Sequence, residues 1–209
     1  MMIGRVLAGC VALCLMMSAS LALAGTLQSD YAALEARRKA LEDQRRGYEK
    51  QLQKQAEAIN QVADDLNDCV YETRMKALKM KKHKIYETWR GIWESRLKEA
   101  EVARKTSEEE RRELIQTWRE LDKVRQALEE KRAKIEESHT VKGPGSAYEK
   151  AFREYMAELE DQYFQRLENE LFEGYRTYLD GAEGYLMFMK GSLSICESNE
   201  MGLPTRADN

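Results

Sequence analysis

The chain has 209 residues with 34% charged side chains, and it contains only two prolines, Pro144 and Pro204. This length predicts one or two domains, and the composition excludes collagen-like, mucin-like and low-complexity proteins. The formal net charge is −3, and no segment is basic enough to predict a nucleic-acid-binding protein.

The first 24 residues have the features of a secretory signal peptide. Arg5 is the only charged residue among them, an apolar run covers residues 6–17, and alanines stand at Ala22 and Ala24. Signal peptidase requires small residues at these two positions. The sequence therefore predicts cleavage after Ala24 and a periplasmic or secreted protein. The alternatives are an uncleaved membrane anchor and a lipobox-like site ending at Cys10.

Cleavage at that point would leave two cysteines, Cys69 and Cys196. An even number of cysteines in an oxidising compartment favours one disulfide bond. The bond could lie within one chain or join two chains, and two unpaired buried thiols are the alternative.

Residues 25–142 are predicted to form a long coiled-coil helical region. Apolar residues recur over residues 27–73 in alternating steps of three and four, which is a heptad pattern. Arg38, Arg45 and Gln55 interrupt this seam. Such an interrupted heptad region could pack within one chain or support a homodimer.

The same helix is predicted to continue past residue 73 as far as Leu97. Ser107 is followed by three glutamates, which has the form of a helix-starting capping box. The sequence therefore predicts a kink or turn at 105–107, and one unbroken helix is the alternative. Beyond it, apolar side chains including Leu114, Leu121 and Leu128 share one face of the next helix.

The sequence Gly-Pro-Gly-Ser at 143–146 is a strong helix breaker and predicts a tight reversal. A C-terminal amphipathic helix is predicted at 147–197 and an irregular tail at 198–209. The expected fold is all-α, with long amphipathic helices forming an elongated coiled-coil or helical-hairpin bundle. In a simple up-down-up path Cys69 is hard to bring near Cys196, so either the path is more folded or the bond joins two chains.

No catalytic residue, cofactor site or metal site is predicted. His83 and His139 lack the two-histidine spacing of a metal-binding helix, and no serine lies in a nucleophile-elbow motif. No glycine-rich phosphate loop follows a strand, because no strand is evident. The sequence therefore indicates a protein that is not an enzyme and needs no cofactor.

Two clusters are candidates for binding a partner. The basic cluster comprises Arg74, Lys76, Lys79, Lys81, Lys82, His83 and Lys84. It could meet an acidic partner, anionic lipid head groups or acidic envelope polymers. Pairing with acids of the last helix is the favoured interpretation, and membrane contact is not favoured.

The aromatic cluster comprises Trp89, Trp93 and Trp118, and Trp89 and Trp93 share a helix face. A core where two helices pack is the favoured interpretation. The alternative is an exposed anchor for a partner, since aromatic side chains often serve as such anchors.

The C-terminal third resembles the LprI-type family of exported lysozyme inhibitors. The residues that carry the resemblance are Leu159, Tyr163, Tyr175, Tyr178, Asp180, Gly191, Ser192, Cys196, Thr205 and Arg206. Tyr175 replaces a tryptophan of the family pattern, and a cysteine expected near Glu183 is missing. The resemblance implies binding to a protein or to envelope material and identifies no inhibitory residue.

Together these features predict an exported helical protein-interaction or scaffold protein of the cell envelope, without catalysis. Its expected partners are envelope proteins, and a homodimer through residues 27–73 is one expected assembly. A periplasmic holdase-like chaperone and a lysozyme-inhibitor-like binding protein are the alternatives.

Overall fold

The computed structural model describes residues 3–79 and 83–198, apart from the side chains of residues 3–26, His83 and Ile85. The helical elements, in chain order, are α1 Ile3–Lys79, α2 His83–Ser138, α3 Ala147–Glu158, the π-helical segments π1 Leu159–Phe164 and π2 Leu167–Phe172, and α4 Glu173–Glu197. No strand occurs in these residues, so the predicted all-α class is confirmed. The predicted signal peptide and most of the predicted tail lie outside what is described.

The chain divides into two compact units. Unit 1 comprises Met1–Arg45 and Thr117–Leu171, and unit 2 comprises Arg46–Gln116 and Phe172–Asn209. Each unit therefore takes one part from α1, one from α2 and one from the C-terminal helical segment.

In unit 1 the parts of α1 and α2 are antiparallel. Arg132 donates a hydrogen bond to the hydroxyl of Tyr31, and Arg38 pairs with Glu129 at 3.2 Å between Nη1 and Oε1. Residues further along α1 therefore contact residues earlier in α2, as they do only when two helices are antiparallel.

The reversal after α2 is built by the predicted Gly-Pro-Gly-Ser segment. Gly145 has a φ of +71°, a conformation that glycine adopts without steric cost. The Ser146 amide donates to the Gly143 carbonyl at 3.1 Å, and the Ser146 hydroxyl accepts from the Glu149 amide at 3.2 Å. Ser146 is thus the N-cap of α3, and the predicted reversal is confirmed.

The two π-helical segments keep one apolar row buried. Tyr155, Leu159, Tyr163, Leu167 and Leu171 follow one another in steps of four, and all are buried. In a regular α-helix with 3.6 residues per turn, four such steps would rotate the row by roughly 160° around the axis. The wider π turns rotate less per residue. The whole row can therefore stay in the core of unit 1.

In unit 2 the chain reverses between α1 and α2. Asp64 and Arg104 form an ion pair at 3.6 Å between Oδ1 and Nη1, and Ala77 and Tyr86 line the same small cavity. These pairings require antiparallel helices. The prediction of one helix continuing from residue 73 to Leu97 is therefore wrong: α1 ends at Lys79 and α2 begins at His83.

Helix α2 has no break at 105–107, so the predicted kink is wrong and the unbroken-helix alternative holds. The reason is that Ser107 is a core residue. In unit 2, Tyr86, Trp93, Ala100, Ser107 and Leu114 recur every seven residues, and all are buried. The Ser107 hydroxyl is hydrogen-bonded to the Tyr178 hydroxyl at 2.9 Å instead of capping a helix.

Candidate functional surfaces

Cys69 of α1 and Cys196 of α4 form a disulfide bond within one chain. The expected single disulfide is thereby confirmed as intramolecular, and the alternative of an interchain bond through Cys69 is excluded in this structure. The bond forms because α1 turns back into α2, which lets α4 run parallel to α1. Two hydrogen bonds also join α4 to α2. Arg96 donates to the Ser192 hydroxyl at 2.7 Å, and the hydroxyls of Ser107 and Tyr178 lie 2.9 Å apart.

The aromatic cluster belongs to the interior. Trp93 is 1% exposed, and Trp89 is half-buried. In unit 1, Trp118 is half-buried beneath the guanidinium of Arg45, whose Cζ lies 4.0 Å from the ring centroid. This agrees with the favoured core interpretation. Trp93 is wrong as a partner-binding residue, because a partner could not reach it without opening the bundle.

An apolar groove lies between α2 and α4 in unit 2, and the sequence did not reveal it. It has a volume of about 460 Å³. Its apolar lining comes from Val102 and Ala103 on α2 and from Tyr185 and Phe188 on α4, and its polar rim consists of Ser95, Lys98, Glu99 and Thr106. We call this site the α2–α4 groove.

Two of its lining side chains face solvent. Val102 is 56% exposed and Phe188 is 36% exposed, and the adjoining Met187 is also exposed. Val102 is not part of the buried seven-residue row of α2, so its side chain does not point into the core. The sequence signal that could have indicated this groove is an apolar residue, Val102, at a position outside the buried row.

Two titratable groups near the groove have pKa values above their usual ones. Burial, followed by the charge of Glu110, raises the pKa of Tyr185. Burial also raises the pKa of Glu110, with repulsion from Glu113 as the second cause.

The described part of the basic cluster lies at the end of α1 and the start of α2. Arg74, Lys79 and Lys84 are exposed and Lys76 is half-buried, whereas Lys81 and Lys82 lie outside the described residues. None of the four described cations forms an ion pair with a described residue, so the predicted pairing with acids of the last helix is not observed.

The residues that carry the resemblance to lysozyme inhibitors are mostly interior. Leu159, Tyr163, Tyr175 and Tyr178 are buried, and Cys196 is in the disulfide. Thr205 and Arg206 lie outside the described part of the chain. Ser192 is also buried, whereas Asp180 and Gly191 are exposed.

Among the described residues, no set of three or more histidine, cysteine, aspartate or glutamate side chains is arranged to hold a metal ion. Likewise, no described helix combines the length and apolar character needed to cross a membrane.

No family model, characterised protein or solved structure shows significant similarity to this chain.

Proposed function

We propose that this chain is an exported protein-interaction protein of the cell envelope, and that it binds an amphipathic helix of a protein partner in the α2–α4 groove. The observation that carries the proposal is the exposed apolar lining of that groove, with Val102 and Phe188 on its two walls. Apolar side chains that face solvent along a groove are the contacts that helix-in-groove recognition uses.

The composition of the groove suits a helical partner. An amphipathic helix would bury apolar anchors against Val102, Tyr185 and Phe188, while its polar flanks face Lys98 and Glu99. This is the helix-in-groove mode of recognition, in which apolar residues spaced three or four apart provide the anchors.

The groove is also held open in advance of binding. Its α4 wall is fixed to α1 by the Cys69–Cys196 disulfide and to α2 by the Arg96–Ser192 hydrogen bond. A wall that is already ordered loses little conformational entropy when a partner arrives, which favours affinity.

Two features support export, one in the sequence and one in the structure. Residues 1–24 have the charge, apolar run and small residues of a signal peptide. The disulfide would persist in an oxidising compartment such as the periplasm. N-terminal sequencing of the protein from the envelope fraction should begin at Gly25, and a cytoplasmic protein starting at Met1 would contradict export.

The groove is tested by site-specific photocrosslinking in the cells that make the protein. A photoreactive residue at position 102 should give one discrete crosslinked product, and Phe188→Asp should abolish it. The control places the same residue at Ile115 of α2, which does not line the groove and is 38% exposed against 56% for Val102.

Equal crosslinking at positions 102 and 115 would contradict the proposed site. A smear of many products at position 102 would contradict a specific partner and favour a chaperone that holds diverse clients. Circular dichroism of Phe188→Asp must match the parent protein, so that a loss of crosslinking reports the groove and not unfolding.

A further inference from the structure

The three helical parts of unit 2 do not end at the same level. Cys196 is one residue from the end of α4, and its Sγ lies 3.8 Å from the Thr73 Oγ1 of α1. Helix α1 continues for six more residues to Lys79. Residues 74–79 of α1 and 84–90 of α2 thus extend beyond the end of α4; we call these residues the hairpin tip.

An apolar stripe leads along α1 into this tip. Tyr71, Met75 and Leu78 follow helical i, i+4, i+7 spacing and are 61%, 37% and 44% exposed. The buried residues Val70 and Ala77 lie roughly 100° and 120° from Tyr71 around the same helix. They face the core, so the exposed stripe is a second apolar face.

Cations flank the stripe on both sides. At about 100° per residue, Arg74 and Lys79 lie roughly 60° and 80° from Tyr71, in opposite directions around α1. Both are exposed, and neither is ion-paired with a described residue. Residues 73–86 contain six lysines and arginines and no acid, and the one acid of the tip, Glu87, pairs with Arg90.

We propose that the hairpin tip binds the surface of an anionic lipid membrane. Cations beside an apolar stripe match the two layers of such a surface, because the cations meet anionic head groups while the apolar side chains enter the acyl boundary. An acidic polymer would satisfy the cations alone and leave Tyr71, Met75 and Leu78 in water. The contact is peripheral, and it is separate from the α2–α4 groove.

Both the cations and the apolar stripe should contribute to membrane binding. Each cation near an anionic bilayer raises affinity about five-fold, so Arg74→Gln with Lys79→Gln should weaken binding roughly 30-fold. Met75→Ser with Leu78→Ser should weaken it roughly 10-fold or more, because the stripe no longer gains from leaving water.

The test is cosedimentation of the full chain with vesicles of phosphatidylcholine alone or mixed with phosphatidylglycerol. We expect binding to the mixed vesicles only, decreasing as salt rises. The control exchanges two exposed lysines of the same unit, Lys50→Gln with Lys54→Gln, and should bind as the parent does. Any contribution of residues 1–24 is the same in every variant compared.

Four results would overturn the proposal. These are equal binding to both vesicle types, full binding by the Arg74/Lys79 variant, an equal loss in the Lys50/Lys54 control, and full binding by the Met75/Leu78 variant. The last would mean that charge alone suffices. Matching circular dichroism and an intact disulfide confirm that each variant is folded.

Discussion

The contact between Gly174 of α4 and Leu114 of α2 gives a sharp test of how unit 2 packs. A Cβ added at Gly174 would lie 2.6 Å from Leu114 Cδ2, and Leu114 is itself buried. At Gly181, seven residues along the same helix, an added Cβ meets nothing within 4 Å. The two glycines therefore share a helix and differ in their surroundings.

Replacing either glycine with alanine gains about 1 kcal/mol of helix propensity. At Gly174 the extra methyl group must also displace Leu114, and overpacking of this kind costs about 1–3 kcal/mol. Gly181→Ala should thus be stabilising, and Gly174→Ala should have a free energy of unfolding about 1–3 kcal/mol lower than Gly181→Ala. Urea unfolding followed by circular dichroism measures both values.

The same experiment in a Leu114→Ala background identifies the cause. Without the leucine side chain, the added methyl group at Gly174 has room, so the difference between the two alanine variants should disappear. Equal stability of Gly174→Ala and Gly181→Ala in the parent protein would refute the packing of α4 on α2. A difference that persists without Leu114 would assign the clash to another neighbour.

Three further measurements concern buried polar and covalent links. Reducing the Cys69–Cys196 bond, whose cysteines are 127 residues apart, should lower the free energy of unfolding by about 5 kcal/mol in the chain-entropy treatment; an unchanged urea midpoint would contradict it. Ser107→Ala should lower the free energy of unfolding by about 1–3 kcal/mol, because it leaves the Tyr178 hydroxyl without its hydrogen bond. Adding Tyr178→Phe removes that hydroxyl, so the double variant should regain most of the lost stability. Burial raises the pKa of Tyr163 to about 12, and its hydroxyl has no hydrogen-bond partner among the described residues, so stability should fall as the pH rises from about 10 to 12. Burial raises the pKa of Tyr155 to about 12 as well, so Tyr163→Phe should reduce that alkaline loss, and an identical pH profile would argue against it.

The sequence predicted the helical class because apolar periodicity is strong throughout the chain. It also predicted the reversal at 143–146, where glycine and proline act through local backbone geometry. It failed at the reversal before His83, because residues 74–84 contain neither glycine nor proline and are compatible with a continuing helix. That reversal is specified by packing of α2 against α1.

The capping-box prediction at Ser107 failed for a related reason. A serine before three glutamates marks the start of a helix only if that serine is not itself buried in the core. Here Ser107 falls in the seven-residue row between Ala100 and Leu114, and Tyr178 supplies its hydrogen bond. Tertiary context therefore overrides a local signal.

The candidate surfaces were only partly visible in the sequence. The basic cluster was evident from composition, but its position at a hairpin end depends on the missed reversal. The α2–α4 groove brings together Val102 and Phe188, which are 86 positions apart in the sequence. Local periodicity carries no information on such a pairing.

The antiparallel arrangement of α1 and α2 in unit 2 underlies the disulfide, the groove and the hairpin tip, and one distance tests it. Spin labels attached through non-cysteine residues at positions 64 and 104 leave the native disulfide intact. The 3.6 Å ion pair between Asp64 and Arg104 predicts labels within about 20 Å of each other, since they stand side by side. A separation near 60 Å, as in one continuous helix rising 1.5 Å per residue, would contradict the account.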